Sequence, residues 1–144
     1  EGLNKLRNIL QILKKSKISA DIIDLRTLRP LDKKTIIKSI KKTKKLLVID
    51  NGWKTYGISS EIIALLAENF SNKKIKYLRL GLKEEPISST RALARNSYVS
   101  FKSIFNAISE ITNKKLNKAL TEKFLRDIKK HNDDVPNKDF LGPF

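Results

Sequence analysis

The chain has 144 residues and a formal net charge of +16, is 40% hydrophobic, and contains no cysteine and one histidine. That size suits a single domain able to bury about two-thirds of its unfolded surface, and without cysteine there can be no disulfide, thiolate metal site or thiol nucleophile. No apolar run approaches the roughly 20 residues of a spanning helix, and the start of the chain is amphipathic rather than continuously apolar, unlike a signal peptide; a cytoplasmic protein is expected.

The charge invites a nucleic-acid reading. Of the 31 basic residues, however, 24 are lysine and 7 arginine, whereas phosphate and base recognition favour arginine forks. The lysines come as pairs spread along the chain (Lys14-Lys15, Lys33-Lys34, Lys41-Lys42, Lys44-Lys45, Lys73-Lys74, Lys114-Lys115, Lys129-Lys130) instead of one basic-aromatic tract. Lysine-biased composition accounts for this, and nucleic acid is not the expected partner.

Leu3, Leu6, Leu10 and Leu13 repeat at helical spacing, so residues 2–16 read as an amphipathic helix. Its last turn carries Lys14 and Lys15, the sign that suits a helix C-terminus. Residues 20–28 read as a strand: adjacent Ile22 and Ile23 need cover on both faces, as in a parallel sheet. Arg29-Pro30 ends it, because proline offers no amide hydrogen and disfavours the helical region at the residue before it. Asp32 then stands at the N-cap of a helix over 32–42, spaced by Ile36, Ile37 and Ile40. Leu46-Leu47-Val48-Ile49 is a buried strand ended by Asn51-Gly52. Residues 53–57 form a loop bearing Trp53 and Tyr56, with Ser59 or Ser60 as cap for a helix over 61–69. Residues 75–80 make a third strand, 83–89 a loop around Pro86, and Phe101, Ile104, Phe105, Ile108 and Ile111 another helix. Leu116, Leu120, Phe124 and Ile128 suggest one more, before a polar tail from Asn132. Strands alternating with helices imply an open α/β sheet covered on both faces. Because the chain opens on a helix, a fragment or an upstream strand is expected.

The search for a catalytic centre is mostly negative. His131 lies in a polar stretch and reads as a surface residue. Five scattered glycines form neither a dinucleotide-binding nor a phosphate-loop spacing. Asp133-Asp134 and Glu84-Glu85 read as solvated charge, and Asp21 and Asp24 as partners for Arg26 and Arg29. The best functional stretch is the loop 50–57. It leaves the C-terminal end of a strand, where open α/β sheets place ligands, and Gly57-Ile58-Ser59-Ser60 supplies free helix-terminal amides. Trp53 and Tyr56 are read as interface or core aromatics before substrate contacts. Arg91 and Arg95 either hold an anion or pair across an interface.

Three stretches carry a resemblance. Ile22 to Asp32, Leu47 to Trp53 and Gly57 to Ile62 together resemble the C-terminal domain of the transketolase superfamily, in particular the beta subunit of the decarboxylating component of 2-oxoacid dehydrogenase complexes. Pro86 to Leu93 and the helix over 100–111 continue it, so the resemblance covers residues 1–111, leaving 112–144 as a C-terminal helix and polar tail. It implies a three-layer α/β/α sandwich with a mostly parallel sheet. It also implies a scaffold domain that supports dimerisation and the active-site entrance and is not catalytic alone, with Trp53, Tyr56, Gly57, Arg91 and Arg95 as interface or entrance residues and Arg29, Pro30 and Asp32 as structural ones. Thiamine diphosphate and magnesium would belong to the parent enzyme. They would be held by pyrimidine-binding and diphosphate-binding domains or an alpha subunit, with no cofactor here and a homodimer expected. Two departures stand out: the family's first strand is missing ahead of the opening helix, and the residues after Ile111 run past the usual end. The alternative is a stand-alone basic α/β module that binds nucleic acid.

Overall fold

Helical periodicity is satisfied at six places in the computed structural model, which describes residues 2–71, 73–94 and 97–129. The elements run α1 (Gly2–Lys15), α2 (Lys33–Thr43), β1 (Lys45–Trp53), α3 (Ile58–Phe70), β2 (Lys76–Leu82), α4 (Arg91–Ala94), α5 (Phe101–Thr112) and α6 (Lys118–Lys129). They group into two compact units, one built from both ends of the chain (up to Ser19 and from Lys114) and one from Ala20–Asn113.

In the larger unit β1 and β2 pair in parallel, Leu46 opposite Tyr77, Val48 opposite Arg79 and Ile49 opposite Leu80. A parallel pair needs a crossover rather than a tight turn, and α3 supplies it. Leu46 and Val48 pack on a core of Ile36, Ile40, Ile62, Leu65, Leu66 and Phe70 from α2 and α3. Alternation therefore turns Leu47 and Ile49 to the opposite face. Helix α5 contacts both strands, with Phe105, Ala107 and Ile111 buried. Within this unit the order is helices, parallel sheet, helix: an α/β fold. Asp32 caps α2, its Oδ1 accepting from the Thr35 amide at 3.1 Å. Both α2 and α5 stop at a left-handed residue, Lys44 and Asn113.

Residues 20–28, expected as a strand, are not one. Among the described residues β1 and β2 pair only with each other, and an extended segment without a ladder is not held as a sheet strand. Its apolar residues accordingly lie open: Ile22 is 46%, Ile23 37% and Leu28 56% exposed. Leu25 alone of the stretch packs on the core. Asp21 also finds a partner other than the expected arginines, accepting from Lys42 Nζ at 2.8 Å and Ser39 Oγ at 3.1 Å, both on α2. The segment is thus anchored to a helix by side chains, not to a sheet by its backbone. The Arg29-Pro30 bond is cis, and both residues are exposed.

In the smaller unit α1 and α6 touch, and Ile12, Leu13, Ile18 and Phe124 are buried. Asn117 opens α6, its Oδ1 accepting from the Leu120 amide at 3.1 Å.

Candidate functional site

Strand β1 runs past its expected end at Asn51-Gly52 as far as Trp53, with an irregular register between Ile49 and Trp53. The irregularity has a local cause. Asp50 Oδ1 accepts from the Gly52 amide at 2.9 Å, a side chain taking the place of a ladder partner. Gly81 on β2 lets the strands close up here, since a β-carbon on it would lie 3.0 Å from the Gly52 carbonyl oxygen. Lys54 then donates its amide to Leu82 at 3.3 Å, extending the pairing into the loop.

The loop from Trp53 to Gly57 is held from three sides. Arg79, on β2, donates from one guanidinium nitrogen to the Lys54 carbonyl at 2.9 Å and to Ser60 Oγ at 2.8 Å. The Ser60 hydroxyl also donates to the Lys54 carbonyl at 3.3 Å, with Ser59 reaching it at 3.5 Å. Gly57, not a serine, occupies the N-cap of α3, and the helix starts at Ile58. The reason is steric: a β-carbon on residue 57 would collide with the Trp53 carbonyl oxygen. The two serines point their hydroxyls back at the loop instead.

This framework presents two aromatics to solvent. Trp53 is 57% exposed, and Tyr56 is 97% exposed with φ of 58°. A bulky residue in the left-handed region is uncommon and needs surroundings that impose it. Neither aromatic belongs to a core. Of the other expected site residues, Arg91 opens the short helix α4, while its side chain and the whole of Arg95 lie outside the described residues. His131, Asp133 and Asp134 lie outside them too. Glu85 pairs with Lys83 at 3.6 Å in the exposed Pro86 loop.

Sequence reasoning missed Arg79. The one signal was its place as the charged residue inside the run Tyr77-Leu78-Arg79-Leu80, on the same face as Leu46 and Val48. Among the described residues two carboxyls are held below their ordinary range, one capping α2 and one bonded to it. Asp21 is lowered first by its hydrogen bond from Lys42 and then by Ser39, and Asp32 by the hydroxyl and then the amide of Thr35. What the loop offers is therefore two solvent-exposed aromatics on a hydrogen-bonded backbone beside the end of a parallel sheet.

The comparisons with known proteins agree with this architecture. The family described as Transketolase, C-terminal domain, matches residues 2–104. Over 103 residues the chain is 38% identical to the mitochondrial pyruvate dehydrogenase E1 component subunit beta of Dictyostelium discoideum, covering 71% of this chain and 29% of that protein. It is 35% identical over 101 residues to the corresponding subunit of Rickettsia bellii, covering 69% and 31%. With the human mitochondrial subunit the identity is 31% over 104 residues, covering 71% and 29%. The chain thus spans less than a third of the length of these relatives. On the extent of the family match and the parallel α/β unit built on it, the chain belongs to the transketolase C-terminal domain family.

Proposed function

We propose that this domain works as a non-catalytic scaffold of a thiamine diphosphate-dependent 2-oxoacid dehydrogenase beta subunit or a transketolase-like enzyme. In this role it supports dimerisation and shapes the entrance to an active site built elsewhere. The observation that carries the reading is the pair Trp53 and Tyr56, exposed on a loop that Gly57, Arg79 and Ser60 hold in one shape. Exposed aromatics on a fixed backbone are the usual anchors of protein interfaces, since little entropy is lost when they dock. The partners are a second copy and the pyrimidine-binding and diphosphate-binding domains or alpha subunit of the parent enzyme. Gly57, Arg91 and Arg95 are proposed alongside Trp53 and Tyr56 as interface or entrance residues.

Thiamine diphosphate and its magnesium belong, in this proposal, to the other domains or the alpha subunit of the parent enzyme. No group of three or more His, Asp or Glu side chains converges among the described residues, and oxygen donors are what magnesium requires. As to compartment, no helix among the described residues is long and apolar enough to cross a membrane. The proposal places the protein in the cytoplasm, although the Dictyostelium and human relatives are mitochondrial by name.

Sedimentation of the chain at two ionic strengths tests the scaffold role. Repulsion from the charge of +16 opposes self-association and is screened by salt, so a dimer should gain population as salt rises, and Trp53→Ala with Tyr56→Ala should weaken it. A strict monomer at high salt and high protein concentration would overturn self-association, and saturable micromolar binding of thiamine diphosphate with magnesium would overturn the non-catalytic reading.

A further inference from the structure

The smaller unit gathers lysines that are far apart in sequence. Lys14 and Lys15 end α1 and Lys17 follows it, whereas Lys114 and Lys115 precede α6 and Lys118 begins it. Two hydrogen bonds bring the segments together: Lys114 Nζ donates to the Lys17 carbonyl at 2.6 Å, and the Asn117 amide donates to Ser16 Oγ at 2.9 Å. All six lysines are exposed. Across the described side chains of 8–19 and 114–128 there are eight basic groups and two acidic ones, and one of the latter, Glu122, reaches Lys118 only at 3.9 Å between exposed atoms.

Folding accounts for only part of this placement. Lys14 and Lys15 suit the negative end of α1's dipole and Lys114 answers the Lys17 carbonyl, but Lys118 and the nearby Lys115 stand at the positive end of α6, where cations are disfavoured. The first turn of α6 carries no acidic residue to offset them. Like charges brought together this way also repel one another. Half of the cluster lies beyond residue 104, where the family match ends.

We propose that this lysine patch docks a carboxylate-rich segment of a partner polypeptide. An acidic segment would relieve both the mutual repulsion and the unfavourable dipole at α6. Between polyanions, the side chains choose a peptide over nucleic acid. None of the six is arginine, so these six make no bidentate phosphate or base contacts, and Arg126 is the one described arginine side chain of the unit. The described aromatic of this unit, Phe124, is buried and unavailable for base stacking.

The test titrates the full chain with poly-glutamate and, separately, with a short DNA duplex, each over a salt series. Saturable binding of poly-glutamate, weakened about tenfold in the triple variant Lys114→Gln, Lys115→Gln, Lys118→Gln, is the expected result. A triple variant with the same charge loss elsewhere (Lys38→Gln, Lys41→Gln, Lys74→Gln) should lose far less. Lys14→Gln with Lys15→Gln leaves the Lys114 and Asn117 contacts intact and should also weaken binding, so the outcome does not depend on the fold of α6. Equal losses in the patch and control triples would reduce the effect to net charge and overturn the proposal. So would the absence of saturable poly-glutamate binding, or tighter duplex binding that depends on the same lysines.

Discussion

The Trp53 carbonyl oxygen stands where a β-carbon of residue 57 would be, so position 57 admits glycine alone unless the loop moves. The requirement is one of space and not of φ, because Gly57 sits at φ −81° and ψ 174°, open to any residue. Gly57→Ala should therefore destabilise the chain by roughly 1–3 kcal/mol, the usual range for forcing atoms into occupied space. Urea melts would show it, and coincident melts for variant and parent would mean that the loop relaxes freely.

Arg79 binds the same loop from the neighbouring strand, through the Lys54 carbonyl and Ser60 Oγ. Trp53 is the sole tryptophan of the chain, so its fluorescence reports this loop without labelling. Arg79→Ala should lower the fluorescence anisotropy of Trp53 and raise its quenching by acrylamide. The global stability loss should be about 1–3 kcal/mol, reflecting two charge-assisted hydrogen bonds that are partly open to water. Unchanged Trp53 signals would show that Gly57 and the serines hold the loop alone.

Asp32→Ala removes the acceptor for the Thr35 amide and hydroxyl at the start of α2. Loss of an N-cap of this type costs about 0.5–2 kcal/mol. Because α2 supplies Ile36 and Ile40 to the core, the effect should appear in a global denaturant melt and not only as fraying. Asp32→Asn should retain most of the stability, since an amide oxygen still accepts.

Acid should weaken the larger unit through two named carboxyls. Asp21 and Asp32 both have folded values below their ordinary ones. A depressed carboxyl stabilises the fold above its unfolded value, near pH 4, and that contribution disappears as pH falls through the folded value. Stability should thus be flat from pH 7 to about 5 on account of these groups and drop below about 4. In Asp21→Asn the drop should be shallower, and adding Lys42→Ala to that variant should change the acid limb no further, because Lys42 is the principal cause of the shift at Asp21. An identical pH profile for Asp21→Asn and the parent would remove Asp21 from the account.

Much of the architecture was legible because it depends on neighbours in sequence. The spacing of Ile36 and Ile40, the four apolar residues from Leu46, and the helices around Phe105 and Phe124 each announce an element through periodicity alone. Asp32 three residues before Thr35 announces a cap by the same local logic. Residues 20–28 show the limit. Ile22-Ile23 has strand character in isolation, but a ladder is a property of two segments, and among the described residues β1 pairs with β2 alone. Asp21 likewise had arginines nearby in sequence and took Lys42, one helix away, because α2 brings that ammonium within 2.8 Å. The exposed loop of Trp53 and Tyr56 was marked by its place after a strand. The bond that ties it to β2 was not, since Arg79 lies 25 positions from the Lys54 carbonyl it binds. The lysine patch was hidden for the same reason: Lys17 and Lys114 are 97 positions apart, and only the packing of α1 with α6 makes one surface of them. Local chemistry announced the longer helices and the two paired strands, but not the loss of a strand at 20–28, the run of β1 to Trp53 or the start of α3 at Ile58. Tertiary structure decided which distant groups meet, because those contacts depend on chain closure that no short window of sequence contains.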